Sequence, residues 1–271
     1  DLASDDDDEE LSCSSNSHCG AVDECVESHC VRRSKSCSLD CSGRGTCYYS
    51  QSDSDAVVDD CKIGDSSCDA LCECEPGYGG SGCEMTDAEM SDKQATRELL
   101  LSGLSGVANA DEVTEDNVIS WVNSLSAMTI VSDELSASAA ATASNVARDI
   151  LSSASTIGLT YDKLMGLLDS VSAATLATYA NAGTRRRLTE SDVNGTMDLL
   201  SSYGTLTVNE MVAGQSNVDA VYDLFSVSSQ VSAYSNGSAL VTSADDGGAS
   251  SCSVATNDDS GVVRAVVITT K

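Results

Sequence analysis

The sequence predicts an α+β chain in three parts: a small disulfide-rich N-terminal module, a helical subdomain, and an antiparallel β-sandwich portion that runs on past the chain end. Three observations carry this prediction. Twelve of the 13 cysteines lie before residue 84, so the first third relies on covalent cross-links. From Thr86 to about Tyr203, Ala, Ser and Leu recur at helical spacing. Beyond Gly204 the period falls to two and β-branched residues take over. The expected boundaries are an acidic tail over 1–12, a two-disulfide knot over 13–36, and a larger cysteine module with an insert over 37–85. Helices follow over 86–204 and strands over 205–271.

Composition narrows the function classes. Disulfide-dense modules persist in oxidising compartments, so an extracellular or cell-surface protein is expected. With 43 acidic against 14 basic residues the net charge is −29, a field that repels nucleic acid and anionic membranes. Divalent cations and basic surfaces suit it better. No apolar run nears the roughly 20 residues of a membrane span, so no direct membrane insertion is expected in this segment. Neither a signal peptide nor an initiating Met is present, which reads as a processed portion of something larger.

Asp5-Asp6-Asp7-Asp8-Glu9-Glu10 is a like-charge run, expected to be a solvated tail. It lacks the alternating ligands and glycine of a dedicated calcium loop. Cys13, Cys19, Cys25 and Cys30 follow at even, close spacing. Of the three ways to join four cysteines, the crossed one, Cys13–Cys25 with Cys19–Cys30, is preferred. His18 and His29 adjoin these cysteines, but no Cys-x2-Cys clamp accompanies them, so zinc is not expected.

Between Cys37 and Cys83 the chain reads Cys37-x3-Cys41-Ser-Gly-Arg-Gly-Thr-Cys47, a long insert, then Cys72-x-Cys74-Glu-Pro-Gly-Tyr-Gly-Gly-Ser-Gly-Cys83. Gly43, Gly45, Gly77, Gly79 and Gly80 stand where a tight crossed framework needs positive φ. Pro76, the chain's one proline, sits beside Gly77 as in a tight turn. This stretch resembles the EGF-like family, in its Cys-Ser-Gly-x-Gly-x-Cys variety. The resemblance implies Cys37–Cys47, Cys41–Cys72 and Cys74–Cys83. The insert after Cys47 is far longer than usual and adds Cys61 and Cys68, which most simply bond to each other.

Thr86-Asp-Ala-Glu89 has capping-box spacing and opens the first helix, with Leu99, Leu100 and Leu104 as its apolar stripe before Gly106. Thr114 opens a second, with Val118, Trp121, Val122, Leu125 and Met128 inward. A third starts near Asp133 or Ser136 and runs to about Ala154, burying small residues such as Ala139 and Ala143. A fourth spans about Tyr161 to Ala180 through Leu164, Met165, Leu168, Val171 and Leu176. The fifth covers Thr189 to Tyr203, with Val193, Met197 and Leu200 inward. Four or five strands are then expected, at Leu206/Val208, Val218 to Val227, Val231/Ala233, Leu240/Val241 and Val262 to Thr269. A sheet stopping there leaves an open edge, which more sequence or another chain would cover.

Helices leading into strands, with the stretch from Val113 to Ser152, resemble the helical part of GAIN and egg-jelly-receptor (REJ) domains. The His-Leu/Thr stretch of self-cleaving GAIN domains has no counterpart, so autoproteolysis is not implied. The joining of a cysteine module to an acidic Ser/Ala/Leu-rich body also resembles extracellular EGF-repeat proteins of stramenopile algae, among them the mastigoneme proteins of flagellar hairs.

Catalytic constellations are sparse. Both histidines lie in the knot, no Gly-x-Ser-x-Gly elbow appears, and no phosphate loop exists, so an enzyme is not expected. Arg185-Arg186-Arg187 is the basic cluster of the later region. Asn194-Gly-Thr196 and Asn236-Gly-Ser238 are glycosylation sequons, Asn236 the better placed because Asn194 falls near a helix. Cys252 has no partner left in this chain and is expected to bridge to missing sequence or to another subunit. No cofactor is required, and Ca²⁺ is the ion the acidity could recruit. The expected function is a non-enzymatic extracellular structural or adhesive protein, a subunit of a filament or surface coat such as a flagellar mastigoneme. Its partners would be other copies or other subunits of that assembly. The alternative is the ectodomain of a membrane receptor.

Overall fold

The computed structural model describes residues 13–51, 56–65, 67–181, 188–222, 224–233, 251–257 and 262–270. The chain is α+β and divides into two compact units, Asp1–Met90 and Ser91–Lys271.

In the first unit, β1 (Asp23–Val26) and β2 (His29–Arg32) form an antiparallel hairpin with Cys25 opposite Cys30. Its turn residues Glu27 and Ser28 both take positive φ, at 50° and 70°, the backbone that matches the right-handed twist of the flanking strands. A three-stranded sheet follows, ordered β4-β3-β5, from β3 (Gly45–Gln51), β4 (Val57–Val58) and β5 (Cys68–Cys74). A small ladder of β6 (Tyr78–Gly79) and β7 (Met85–Thr86) completes the unit. The knot and the insert are not separate bodies. Ser34 bridges Lys62, and the amides of Lys35 and Ile63 donate to the carbonyls of Cys61 and Arg33.

Of the five glycines expected at positive φ, Gly43, Gly77 and Gly80 take it, whereas Gly45 and Gly79 do not. Gly45 is required for another reason. A Cβ there would lie 2.7 Å from the Cys83 Sγ and 2.7 Å from the Glu73 carbonyl, closer than packed atoms tolerate. Ahead of it, Leu39, Asp40, Cys41 and Ser42 all sit near φ 50°, a left-handed turn of four non-glycine residues. Such backbone costs roughly 1–2 kcal/mol per residue, and the cross-links at Cys37 and Cys41 bracket it.

The second unit is built from five helices and one sheet. The helices are α1 (Asp87–Ala110), which the unit division cuts near its start, α2 (Glu115–Thr129), α3 (Ala137–Ile157), α4 (Met165–Asn181) and α5 (Glu190–Glu210). Their starts follow local chemistry. The Thr114 and Ser136 hydroxyls accept the amides of Asn117 and Ala139, and Thr189 with Asp192 forms a reciprocal capping box. Thr86 and Glu89 do the same ahead of α1. α3 ends on Gly158 in the left-handed conformation. Serine- and threonine-rich helices still bury well, because Thr129, Ser170, Thr175 and Thr207 each return their hydroxyl to the carbonyl four residues back.

The sheet contains β8 (Val218–Val221), β9 (Phe225–Ala233), β10 (Ser251–Asn257) and β11 (Val262–Thr270), in the order β10-β11-β9-β8, all antiparallel. The sequence predicts a sandwich of sheets; the described residues form one sheet, and α5 covers the inward face of β9 and β11. The helices and strands expected as two domains share one interior. Trp121, Ile150, Leu167, Leu200, Tyr203, Phe225, Val231 and Ile268 belong to the same buried cluster. Two local expectations also change. Leu206 and Val208, read as a strand, lie in α5, which runs straight through Gly204. That glycine is a contact residue, because a Cβ on it would overlap the Val266 side chain of β11. On α1, Leu101 and Leu104 are buried, whereas Leu99 and Leu100 face solvent; on α4, Met165 is exposed. The predicted strand at Leu240/Val241 lies outside the described residues.

Candidate functional site

In the first unit the chemistry is that of the cysteines. Six disulfides join Cys13–Cys25, Cys19–Cys30, Cys37–Cys47, Cys41–Cys72, Cys61–Cys68 and Cys74–Cys83. These are the pairs named from the sequence, with Cys61–Cys68 closing the insert's own loop. Cys37, Cys41 and Cys83 pack together in the centre, so the bonds themselves are the core. Two groups of sulfurs come close enough to hold an ion, Cys13/Cys19/Cys25 and Cys37/Cys41/Cys72. All six atoms are disulfide sulfurs and offer no thiolate to a metal.

The insert is fixed by a polar hinge. The Asp60 carboxylate accepts the Cys61 amide at 2.9 Å and the Ser34 hydroxyl, and pairs with Lys62 at 2.8 Å. Those bonds, to Lys62 first and Ser34 next, hold its carboxyl below the usual range. At the other end of the loop, the Ser67 hydroxyl and amide do the same to Asp65. Lys35 reaches across to the Cys68 carbonyl at 2.6 Å. The insert is therefore a stapled flange on β3 and β5.

The two histidines are exposed. The Ser14 hydroxyl lies 3.3 Å from the His18 Nδ1, but no carboxylate orients that ring among the described residues, so the pair lacks the third member of a triad. His29 lies in β2 opposite Val26.

In the second unit the outer strands of the sheet are the feature of interest. The outer strands are β8 and β10, each with a single neighbour among the described residues. β8 is four residues long and carries Asp219, both devices that blunt an edge. β10 reads Ser-Cys-Ser-Val-Ala-Thr-Asn, seven residues without a charge or a proline, and is paired over its whole length to β11. Its Cys252 stands opposite Ile268 in that ladder. Twelve of the 13 cysteines are bonded among themselves, so Cys252 has no partner cysteine in the chain. Sequence reasoning missed β10, whose serines and single valine give little alternation to read.

Of the other sequence-derived sites, Asn194 is exposed in the second turn of α5, within helical backbone. Asn236, Arg185-Arg186-Arg187 and the acidic run Asp5 to Glu10 lie outside the described residues. Trp121 is core, 3% exposed among the helices. Among the described residues no helix is long and apolar enough to cross a membrane. No family model matches the chain, and no curated protein matches it.

Proposed function

We propose that this chain is a non-enzymatic extracellular structural or adhesive protein, a subunit of a filament or surface coat such as a flagellar mastigoneme. One observation carries the reading: a small unit laced by six disulfides is joined to a body whose sheet has a long uncharged strand, β10, with one neighbour among the described residues. Disulfides of this density belong to oxidising compartments. An edge with free amides and carbonyls accepts an added strand from a second molecule. Residues 37–85 act as an EGF-like module, supported by its cysteine and glycine spacing, and serve as a stiff spacer. Acidic faces repel one another until Ca²⁺ or a basic partner bridges them.

Negative-stain microscopy of native material, with and without Ca²⁺, tests this. Ordered fibres or sheets are expected, and dispersed monomers under both conditions overturn it. A second reading, the ectodomain of a membrane receptor with a GAIN/REJ-like region, draws on the order of helices before strands around one interior. Hydrophobic 20-residue segments encoded downstream would favour it; further EGF-like repeats would favour the filament.

A further inference from the structure

Beside the sheet of the second unit, where α4 and α5 meet β8 and β9, there is a cavity of about 80 Å³. Tyr161, Tyr203 and Tyr222 stand in its wall with Asp169, Asp219 and Ser229, over a floor that includes Leu168 and Val227. None of its lining residues is basic.

Two hydroxyls there are conspicuous by their hydrogen bonding. Tyr203 is 3% exposed and Ser229 is 1% exposed, yet neither side chain has a hydrogen-bond partner among the described residues. The buried hydroxyls of Thr129, Ser170, Thr175 and Thr207 return to the backbone of their own helices, which Tyr203 and Ser229 do not. The carboxylates keep capacity too. Asp169 accepts one bond from the Tyr222 hydroxyl, at 2.8 Å, and Asp219 accepts one from Ser228, at 2.5 Å, leaving lone pairs on each.

We propose that this cavity receives the alkylammonium or guanidinium head of a basic side chain from a partner protein. Every polar side chain in the wall can accept a hydrogen bond, and the three tyrosine rings that line it carry the quadrupole that attracts a cation. An anion could take bonds from the hydroxyls, but beside two carboxylates and with no basic residue in the lining. The electrostatics agree: burial first, then Tyr161, Glu210, Asp162 and Asp169 nearby, push the Tyr203 hydroxyl up to about 12. A divalent ion fits less well, since no three carboxylates here lie close enough together to share one among the described residues. Size selects a head group over a whole ligand, because pockets for drug-sized molecules span roughly 300–1,000 Å³. The assignment applies to a single chain as well as to one within an assembly.

The test is titration of the full chain, followed by NMR of the tyrosine rings, with N-acetyl-lysine methylamide, its arginine counterpart, n-butylammonium, and N-acetyl-norleucine methylamide as the neutral isostere. The basic amides should bind in the roughly millimolar range expected for so few atoms, with shifts at Tyr161 and Tyr222. The norleucine compound should leave those rings unmoved. The exposed double substitution Asp169→Asn/Asp219→Asn should weaken binding about tenfold, and Tyr203→Phe should weaken it severalfold at unchanged melting temperature. Lysine amide binding more tightly than n-butylammonium identifies a polypeptide as the source; equal binding identifies a free amine. Equal binding of norleucine and lysine compounds, or no shift with any cation, overturns the proposal.

Discussion

Between residues 13 and 90 the buried centre is Cys37, Cys41 and Cys83 with a few partly covered neighbours, whereas residues 91–271 enclose a continuous interior from Leu101 to Ile268. The first unit has little apolar surface to remove from water, and its strands are short. Its order comes from restricting the unfolded chain, which is what cross-links do. The second unit has no disulfide among its described residues and gains its order from apolar burial. Adjacent stretches of one chain thus answer to different reagents, a difference that can be broken deliberately.

The largest effect is expected from reduction. Each bridge contributes roughly 2–4 kcal/mol, so removing six should unfold the first unit entirely. Hydrogen exchange after treatment with a phosphine reductant should show β3 and β5 unprotected while α3 and α4 keep their protection. Loss of α3 protection in the same experiment would mean that the two units are not energetically distinct.

Next comes Gly204→Ala, which drives a methyl into Val266 on β11 and should cost about 1–3 kcal/mol of second-unit stability by thermal melting. Adding Val266→Ala should recover part of that loss; additive losses would place the strain elsewhere.

A smaller effect concerns Glu134, whose side chain is 13% exposed and pairs with Lys93 and Arg97. Arg97 also donates to the Ala127 and Met128 carbonyls, so one guanidinium closes the end of α2 while gripping Glu134. The bonds to Lys93 and Arg97 hold the Glu134 carboxyl below its ordinary value of 4.5. A carboxyl depressed on folding contributes fully above that ordinary value, and its contribution is lost as pH falls from there through the folded value. Glu134→Gln should cost roughly 1–3 kcal/mol at neutral pH and flatten the acid limb of the stability profile below about pH 4.5. An unchanged acid limb would remove Glu134 from that role. The smallest effect is expected at Lys163, raised by its contact with Glu115 on an exposed surface. Lys163→Met should leave the melting temperature unchanged within error, because solvent screens such pairs.

The same contrast explains what the sequence makes legible. Cysteine pairing in the first unit follows from spacing and from the EGF-like resemblance, and the caps at Thr86, Thr114, Ser136 and Thr189 are short-range chemistry. What escaped depends on distant partners. Gly204 reads as a helix stop until Val266 is seen against it, which is why α5 appeared seven residues too short. Leu99 and Leu100 are as apolar as Leu101, and only the packing of the other helices decides which leucines turn inward. The cavity was invisible for the same reason: Tyr161 precedes α4, Tyr203 lies in α5 and Tyr222 follows β8, and only the packing of these elements brings them to one place. The left-handed turn at Leu39 to Ser42 has no glycine until Gly43 and gives no local sign.

The seat of α5 on the sheet has a mechanical corollary. Tension applied along β10 is shared by a seven-residue ladder with β11, so its hydrogen bonds bear the load together. From β11 it passes through the Val266 side chain to the backbone at Gly204, where α5 has no side chain of its own to yield. The helical bundle is strained as soon as the ribbon is, and the body should stretch as a single spring.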